Sequence, residues 1–145
     1  MSYKQHQYLT ALPETPEAVV MIALMRARSL AGFRYLWTEG ISQPAAVRAA
    51  PGCVQVKPCV VGPGELLMVT YWKDMPSLMA FFKSQAHVSW MRFVTRHPND
   101  LNLAAEIYSP RQPGLYLHEP QGMALVYPRA EGKKSGHAEP ESRRA

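Results

Sequence analysis

The apolar positions change period in a regular order along the chain. Residues 18–27, AVVMIALMRA, are β-branched and apolar almost without interruption, which predicts a first strand. From Ser29 to about Ala50 the spacing turns helical. Ser29 stands where an N-cap belongs, and Phe33, Leu36, Trp37 and Ile41 recur every three or four residues. Gly40 and Pro44 interrupt this run, so it reads as a helix that breaks and restarts, with Ser42 near a new cap and Pro44 in a first turn. After the turn Pro51-Gly52, the run CVQVKPCVV alternates as a half-buried strand does, and Pro58 places it at an edge because proline donates nothing to a ladder. Gly62-Pro63-Gly64 turns the chain into ELLMVTYWK, which is apolar on both alternating faces and predicts a central strand covered on both sides. A second helix starts between Asp74 and Ser77 and runs to about Arg96, and LNLAAEIYS, residues 101–109, gives a fourth strand.

The order β-α-β-β-α-β predicts an α+β ferredoxin-like fold: a four-stranded antiparallel sheet with both helices on one face. The edge proline in the second strand and the two-sided apolarity of the third both agree with that topology. Helices cover only one face, yet the first and third strands are apolar on both. A second copy of the sheet, related by a twofold axis, would supply the missing cover, which predicts a homodimer. The C-terminal stretch GLYLHEPQGMALVY is expected to reach across and seal that arrangement.

Length and composition bound the rest. At 145 residues the chain holds one domain with a real core, and 47% hydrophobic with 19% charged residues is globular composition. The expected division is an N-terminal arm at 1–16, a single domain at 17–128 that includes the C-terminal extension, and a disordered tail at 129–145. Of the net charge of +5, residues 17–128 carry ten basic against seven acidic side chains, too weak a field for a nucleic-acid surface. No apolar run approaches the roughly 18–20 residues of a membrane span, and the N-terminus has neither a signal-peptide nor a transit-peptide pattern, so cytoplasmic residence is expected. Cys53 and Cys59 would lie about 20 Å apart on an extended segment and cannot bridge each other. They also lack companion ligands for zinc and read as buried, inert thiols; no metal site is expected.

Four stretches carry a resemblance: AVVMIALMR, AAPGCVQVKP, LMVTYWKDMPSLMAFFKSQAHVSWMRF and AEIYSPRQPGLYLHEP. Over roughly residues 17–120 the chain resembles the dimeric α/β-barrel superfamily, and within it the antibiotic-biosynthesis monooxygenases. The resemblance implies a small oxygenase that needs no metal or organic cofactor and acts on a flat phenolic or polyketide-like aromatic. Behind that reading it leaves an alternative, a haem-binding or haem-degrading protein with a ligand on the second helix, and, third, a non-catalytic small-molecule-binding or stress protein. Trp72 and Arg92 match a tryptophan and an arginine of some quinone-forming members. The asparagine those members carry just before the tryptophan is absent, its neighbourhood reading Met68, Val69, Thr70.

Helical geometry sorts the candidate side chains of the second helix. At about 100° per residue, Met79, Phe82, Ala86, Trp90 and Phe93 share one stripe, the core face of an amphipathic helix. His87 lies to one side of it, near Lys83 and Met91, and Arg92 to the other, so on one straight helix they cannot serve one pocket. A break near Ser84, which the family often has, would cap a second segment and free the orientation. His87 is then either a helix-flank histidine or a proton-transfer base. Arg92 is a solvated charge or an anion clamp, and Trp90 a core residue or pocket wall. Trp72, at the end of the central strand, packs or stacks on a ligand, and Tyr108 and Met91 complete the candidate substrate contacts. The stretch GPGELL lacks a dinucleotide-loop fingerprint.

Overall fold

In a computed structural model, which describes residues 7–131, the expected order of elements is present with additions at both ends. β1 (Gln7–Leu9) precedes β2 (Val19–Ala27), α1 (Leu30–Thr38) and a single 3-10 turn at Gly40–Ser42 that leads into α2 (Gln43–Arg48). Then follow β3 (Cys53–Gly62), β4 (Glu65–Trp72), α3 (Met75–Phe82), α4 (Gln85–Arg96), β5 (Leu101–Tyr108) and β6 (Leu115–Leu117). The four long strands form one antiparallel sheet in the order β3-β4-β2-β5, with helices on one face. The strand bearing Pro58 is at an edge and the two-sided apolar strand is interior, as the pattern requires.

The register explains which side chains meet the helices. Met21 pairs with Thr70 on one side and Ile107 on the other, so residues 19, 21, 23 and 25 of β2 share a face with 66, 68, 70 and 72 of β4 and 101, 103 and 105 of β5. One core cluster gathers Val19, Met21, Met68, Trp72, Leu78 and Phe81 under α2 and α3; a second joins Met25, Tyr35, Leu36 and Leu101 under α1.

Helix boundaries follow from local chemistry. Ser29 caps α1 by accepting from the Gly32 amide at 3.0 Å, and its hydroxyl also donates to the Asp100 carboxylate at 2.5 Å. The buried face of α1 is Gly32, Tyr35 and Leu36, whereas Phe33, Trp37 and Ile41 of the stripe read from the sequence are exposed. The reason is a close approach: a Cβ at Gly32 would sit 1.9 Å from the Asp100 carbonyl oxygen, so only glycine lets the helix lie against that loop, and this contact chooses the face. Ser42 lies near the restart, but its side chain makes no capping bond there and donates instead to the Glu39 carbonyl.

The long second helix is two helices. Asp74 caps α3 through the Ser77 amide, and Ser84 caps α4 through the His87 amide at 3.3 Å. The break changes the buried stripe: Leu78 and Phe81 enter the core, while Met79 is exposed and no residue of α4 is fully buried.

At the ends of the chain, β1 pairs antiparallel with β6, bringing the Tyr8 and Tyr116 rings to 5.6 Å. The C-terminal segment, expected to cross to a second copy, folds back on its own chain. Gly122 donates to the Gln55 side chain at 2.6 Å and lies against Tyr71, so a short turn at Gly122–Leu125 covers one end of the sheet face opposite the helices. Ala130 donates to the Leu9 carbonyl, so the first residues of the supposed tail are paired; positions 132–145 lie outside the described residues. No helix among the described residues is long and apolar enough to cross a membrane.

Candidate active site

Between the helices and the sheet lies a cavity of about 340 Å³, near the lower end of the roughly 300–1,000 Å³ usual for small-molecule pockets. Its floor is sheet: Met21, Ala23 and Met68, with Leu103 and Ala105 beside them. Alanines at 23 and 105 open space that larger strand residues would fill. Its walls are Tyr35 and Gln43 from the first helical pair and Phe81, Phe82, His87 and Trp90 from the second.

His87 is the one cavity side chain suited to moving a proton near neutrality. Its Nδ1 lies 3.0 Å from the Phe82 carbonyl oxygen, which only accepts, so the neutral ring carries its proton on Nδ1 and keeps the Nε2 lone pair free. Burial pushes its pKa below the ordinary histidine value, and the bond to the Phe82 carbonyl opposes that shift. As the third residue of α4 it also sits at the positive end of the helix dipole, which disfavours the imidazolium and favours a bound anion. Three rings hold it in place: Phe82 at 4.9 Å, Phe81 at 5.3 Å and Trp90 at 6.4 Å between centroids.

Trp90 shares the cavity wall, and its indole N–H has no hydrogen-bond partner among the described residues, so it is available to a ligand. Met91 lies at the rim, 37% exposed. These three, His87, Trp90 and Met91, are the sequence candidates that the structure brings together.

The other three stand elsewhere. Trp72 is fully buried, and its indole N–H donates to the Thr70 hydroxyl at 2.8 Å, so it has neither the surface nor the free donor to meet a ligand. It packs 5.3 Å from Phe81 and supports the cavity wall from behind. Arg92 is exposed and outside the cavity. The break at Ser84 cannot rescue it: both Arg92 and His87 follow the break on α4, about 140° apart at five residues' separation, so turning one inward turns the other out. Tyr108 lies on the sheet face away from the helices, half exposed, donating to the Glu106 carboxylate at 2.6 Å, a bond that raises its pKa.

Two polar residues of the cavity gave no sequence signal. Gln43 sits in Ser-Gln-Pro, which reads as loop punctuation, and Tyr35 falls between positions of the stripe assigned from spacing. In the fold Gln43 is 4% exposed and bonds to the Tyr35 side chain. Burial, and then the negative charge of Glu39, raise the Tyr35 pKa, so it presents a neutral phenol that donates or accepts but does not act as a base at pH 7. The Tyr35 ring stacks on Phe93 at 3.8 Å, which fixes its position.

Among the described residues no group of three or more His, Cys, Asp or Glu is placed to hold a metal ion. The cavity is small for a haem, and a macrocycle approaching His87 Nε2 would have to displace the aromatic rings packed around the imidazole. The site is therefore an apolar slot with one base, one phenol, one amide and one indole donor. Such a set can bind a flat aromatic, remove a proton from it and keep water away from the resulting anion.

Residues 17–92, more than half of the chain, match the family described as antibiotic biosynthesis monooxygenase. No curated protein matches the chain. Among solved structures, PA3566 from Pseudomonas aeruginosa is similar at 19% identity, covering 68% of this chain and 97% of its own, with a TM-score of 0.54. SnoaB, a cofactor-independent oxygenase from Streptomyces nogalater, is similar at 13% identity, covering 66% and 95%, with a TM-score of 0.50. Rv0793 from Mycobacterium tuberculosis is similar at 16% identity, covering 63% and 94%, with a TM-score of 0.54. At these identities the structures speak for the shared fold.

Proposed function

Since the chain belongs to the antibiotic biosynthesis monooxygenase family, we propose that it is a monooxygenase that oxidises a flat phenol or enol without metal or organic cofactor. The observation that carries this reading is the state of His87: its N–H is committed to the Phe82 carbonyl, and its lone pair belongs to an apolar cavity walled by aromatic rings. The similarity to a cofactor-independent oxygenase supports it.

Nε2 of His87 takes a proton from the bound phenol, or from the ring CH2 of its keto tautomer. The Trp90 indole N–H donates to the oxygen that becomes negative, and the dipole of α4 favours the same charge. The electron-rich anion transfers an electron to O2, and the two radicals combine to form a carbon–oxygen bond. The resulting hydroperoxide loses the remaining hydrogen from that carbon as a proton, the O–O bond breaks, and water leaves. In total a CH2 and O2 become C=O and H2O, all electrons coming from the substrate. O2, small and apolar, enters a cavity that excludes water, and Tyr35 and Gln43 orient the ring from the opposite wall.

The working unit in this proposal is a homodimer. Val20, Ile22, Leu24, Leu67, Val69 and Tyr71 form an apolar sheet face opposite the helices, and the C-terminal turn covers only one end of it.

Oxygen uptake by metal-free protein given anthrone tests the reading. The expected result is one O2 consumed per quinone formed. Tight binding of anthrone with no oxygen consumed would leave a binding module in place of an enzyme.

A further inference from the structure

Behind the first cavity lies a second, of about 400 Å³, between the α1–α2 segment and the edge strand β3 with its neighbour β4. Met25, Gln43 and Met68 line both, so these three side chains stand at the divide between the two spaces. Methionine is the apolar side chain that most readily changes shape, and Gln43 is the one polar group at the divide. The rest of the second cavity is apolar save for one charged side chain, Arg48, from the last turn of α2. Among the described residues Arg48 has no carboxylate in ion-pairing reach. An exposed guanidinium beside an apolar cavity favours one class of group: an anion carried on an apolar arm.

We propose that the second cavity is a subsite for an acidic side arm of the substrate. The phenolic ring occupies the first cavity, the arm passes Gln43 between Met25 and Met68, and a carboxylate at its end pairs with Arg48. This rests on the phenol-oxidising reading and narrows its substrate class to aromatic phenols bearing an acidic chain. It also assigns Gln43 a positioning role: its amide, already bonded to Tyr35, stands where ring and arm join and fixes which ring carbon faces His87.

Ile41 offers an independent readout, since it lines the second cavity and not the first. The experiment compares three probes by calorimetric titration of the full chain: a naphthol, the same naphthol carrying a propanoate arm para to the hydroxyl, and the methyl ester of that acid. The acid is expected to bind about fivefold more tightly than its ester, the scale of a partly exposed ion pair. Arg48→Gln should bring the acid down to the affinity of the ester, and Arg48→Lys should restore part of the difference. Acid and ester alike should shift the Ile41 δ-methyl resonance in NMR of methyl-labelled protein, and the unsubstituted naphthol should not. Equal affinity of acid and ester, or an Ile41 methyl resonance unmoved by either arm, overturns the subsite while naphthol binding leaves the phenol reading intact. If none of the three probes binds, the phenol reading falls and the subsite with it.

Discussion

The His87 ring nitrogen Nδ1 sits 3.0 Å from the carbonyl oxygen of Phe82, the last residue of α3, although the two residues belong to different helices. The bond spans the break at Lys83-Ser84 and therefore ties the break to the protonation state of the candidate base. A carbonyl that terminates α3 fixes the tautomer, and Ser84, which starts α4, sets the direction of the ring.

The pH dependence follows from that placement. Burial lowers the His87 pKa, so the ring stays neutral and able to accept a proton further into acid than a free histidine. The acidic limb of kcat/KM for oxygen uptake is expected below pH 6.5 and should vanish in His87→Gln, with kcat down by roughly 10²-fold or more. The same shift has a stability consequence. Below about pH 6.5 the unfolded chain binds the proton more readily than the folded one, so stability present above that value declines as pH falls toward the folded pKa. Thermal melts of wild type and His87→Gln should diverge across that window, the wild type losing more on acidification.

Trp72 is expected to matter for folding and not for substrate affinity. It is fully buried, its indole satisfied by Thr70, with Phe81 between it and the cavity. Trp72→Ala should lower stability by about 3–5 kcal/mol in denaturant titration, the scale of losing a large buried ring. Trp90→Phe, which keeps an apolar wall but removes the free N–H, should instead weaken phenolate binding with little change in melting. Equal effects of the two on melting would place Trp90 in the core as well.

Gly32→Ala tests the contact that orients α1. A Cβ there would meet the Asp100 carbonyl oxygen, which also accepts from the Arg28 amide at 2.8 Å, while the Asp100 side chain accepts from Ser29. Displacing this loop disturbs both bonds. A loss of about 1–3 kcal/mol, typical of overpacking, is expected in urea unfolding, together with reduced turnover because Tyr35 moves with the helix. Alanine at an open helical site would instead stabilise, so the sign of the change decides the matter.

The positions that were legible in the sequence are those where one residue type carries a backbone constraint. Pro58 marked the edge strand, Ser29 and Asp74 the helix starts, and the two-sided apolarity of residues 65–72 the interior strand. Ser84 was legible as a break because its hydroxyl can cap. What spacing could not decide was which of two overlapping helical stripes faces inward. Positions 33, 36 and 37 and positions 32, 35 and 36 of α1 are equally periodic, and the choice was made by a glycine whose signal is the absence of a side chain. The same blindness hid Tyr35 and Gln43, which owe their roles to tertiary neighbours. Trp72 misled for the opposite reason. A tryptophan at a strand end suggests a pocket mouth, but Thr70, two residues earlier on the same face, already satisfies its one polar atom.

The proposed dimer admits a test that the single chain alone would pass. Val69 lies on the sheet face away from the helices, half-buried, with Lys57 directly across the ladder on β3. In an isolated chain, Val69→Asp would place a carboxylate beside that ammonium at a surface position, and folding would change by no more than about 1 kcal/mol. Against a second sheet the same carboxylate would be removed from water without enough hydrogen bonds to satisfy it, and association would lose several kcal/mol. The expected outcome is a wild type that scatters light as a dimer and a Val69→Asp variant that scatters as a monomer with unchanged far-ultraviolet circular dichroism. Lys57 is held near Tyr71 and bonded to Gln121 of the C-terminal turn, so the variant should also loosen that turn and expose Tyr71, raising its fluorescence quenching by iodide. A wild type that is monomeric at the same concentration, or a variant that remains dimeric, places the interface on another surface.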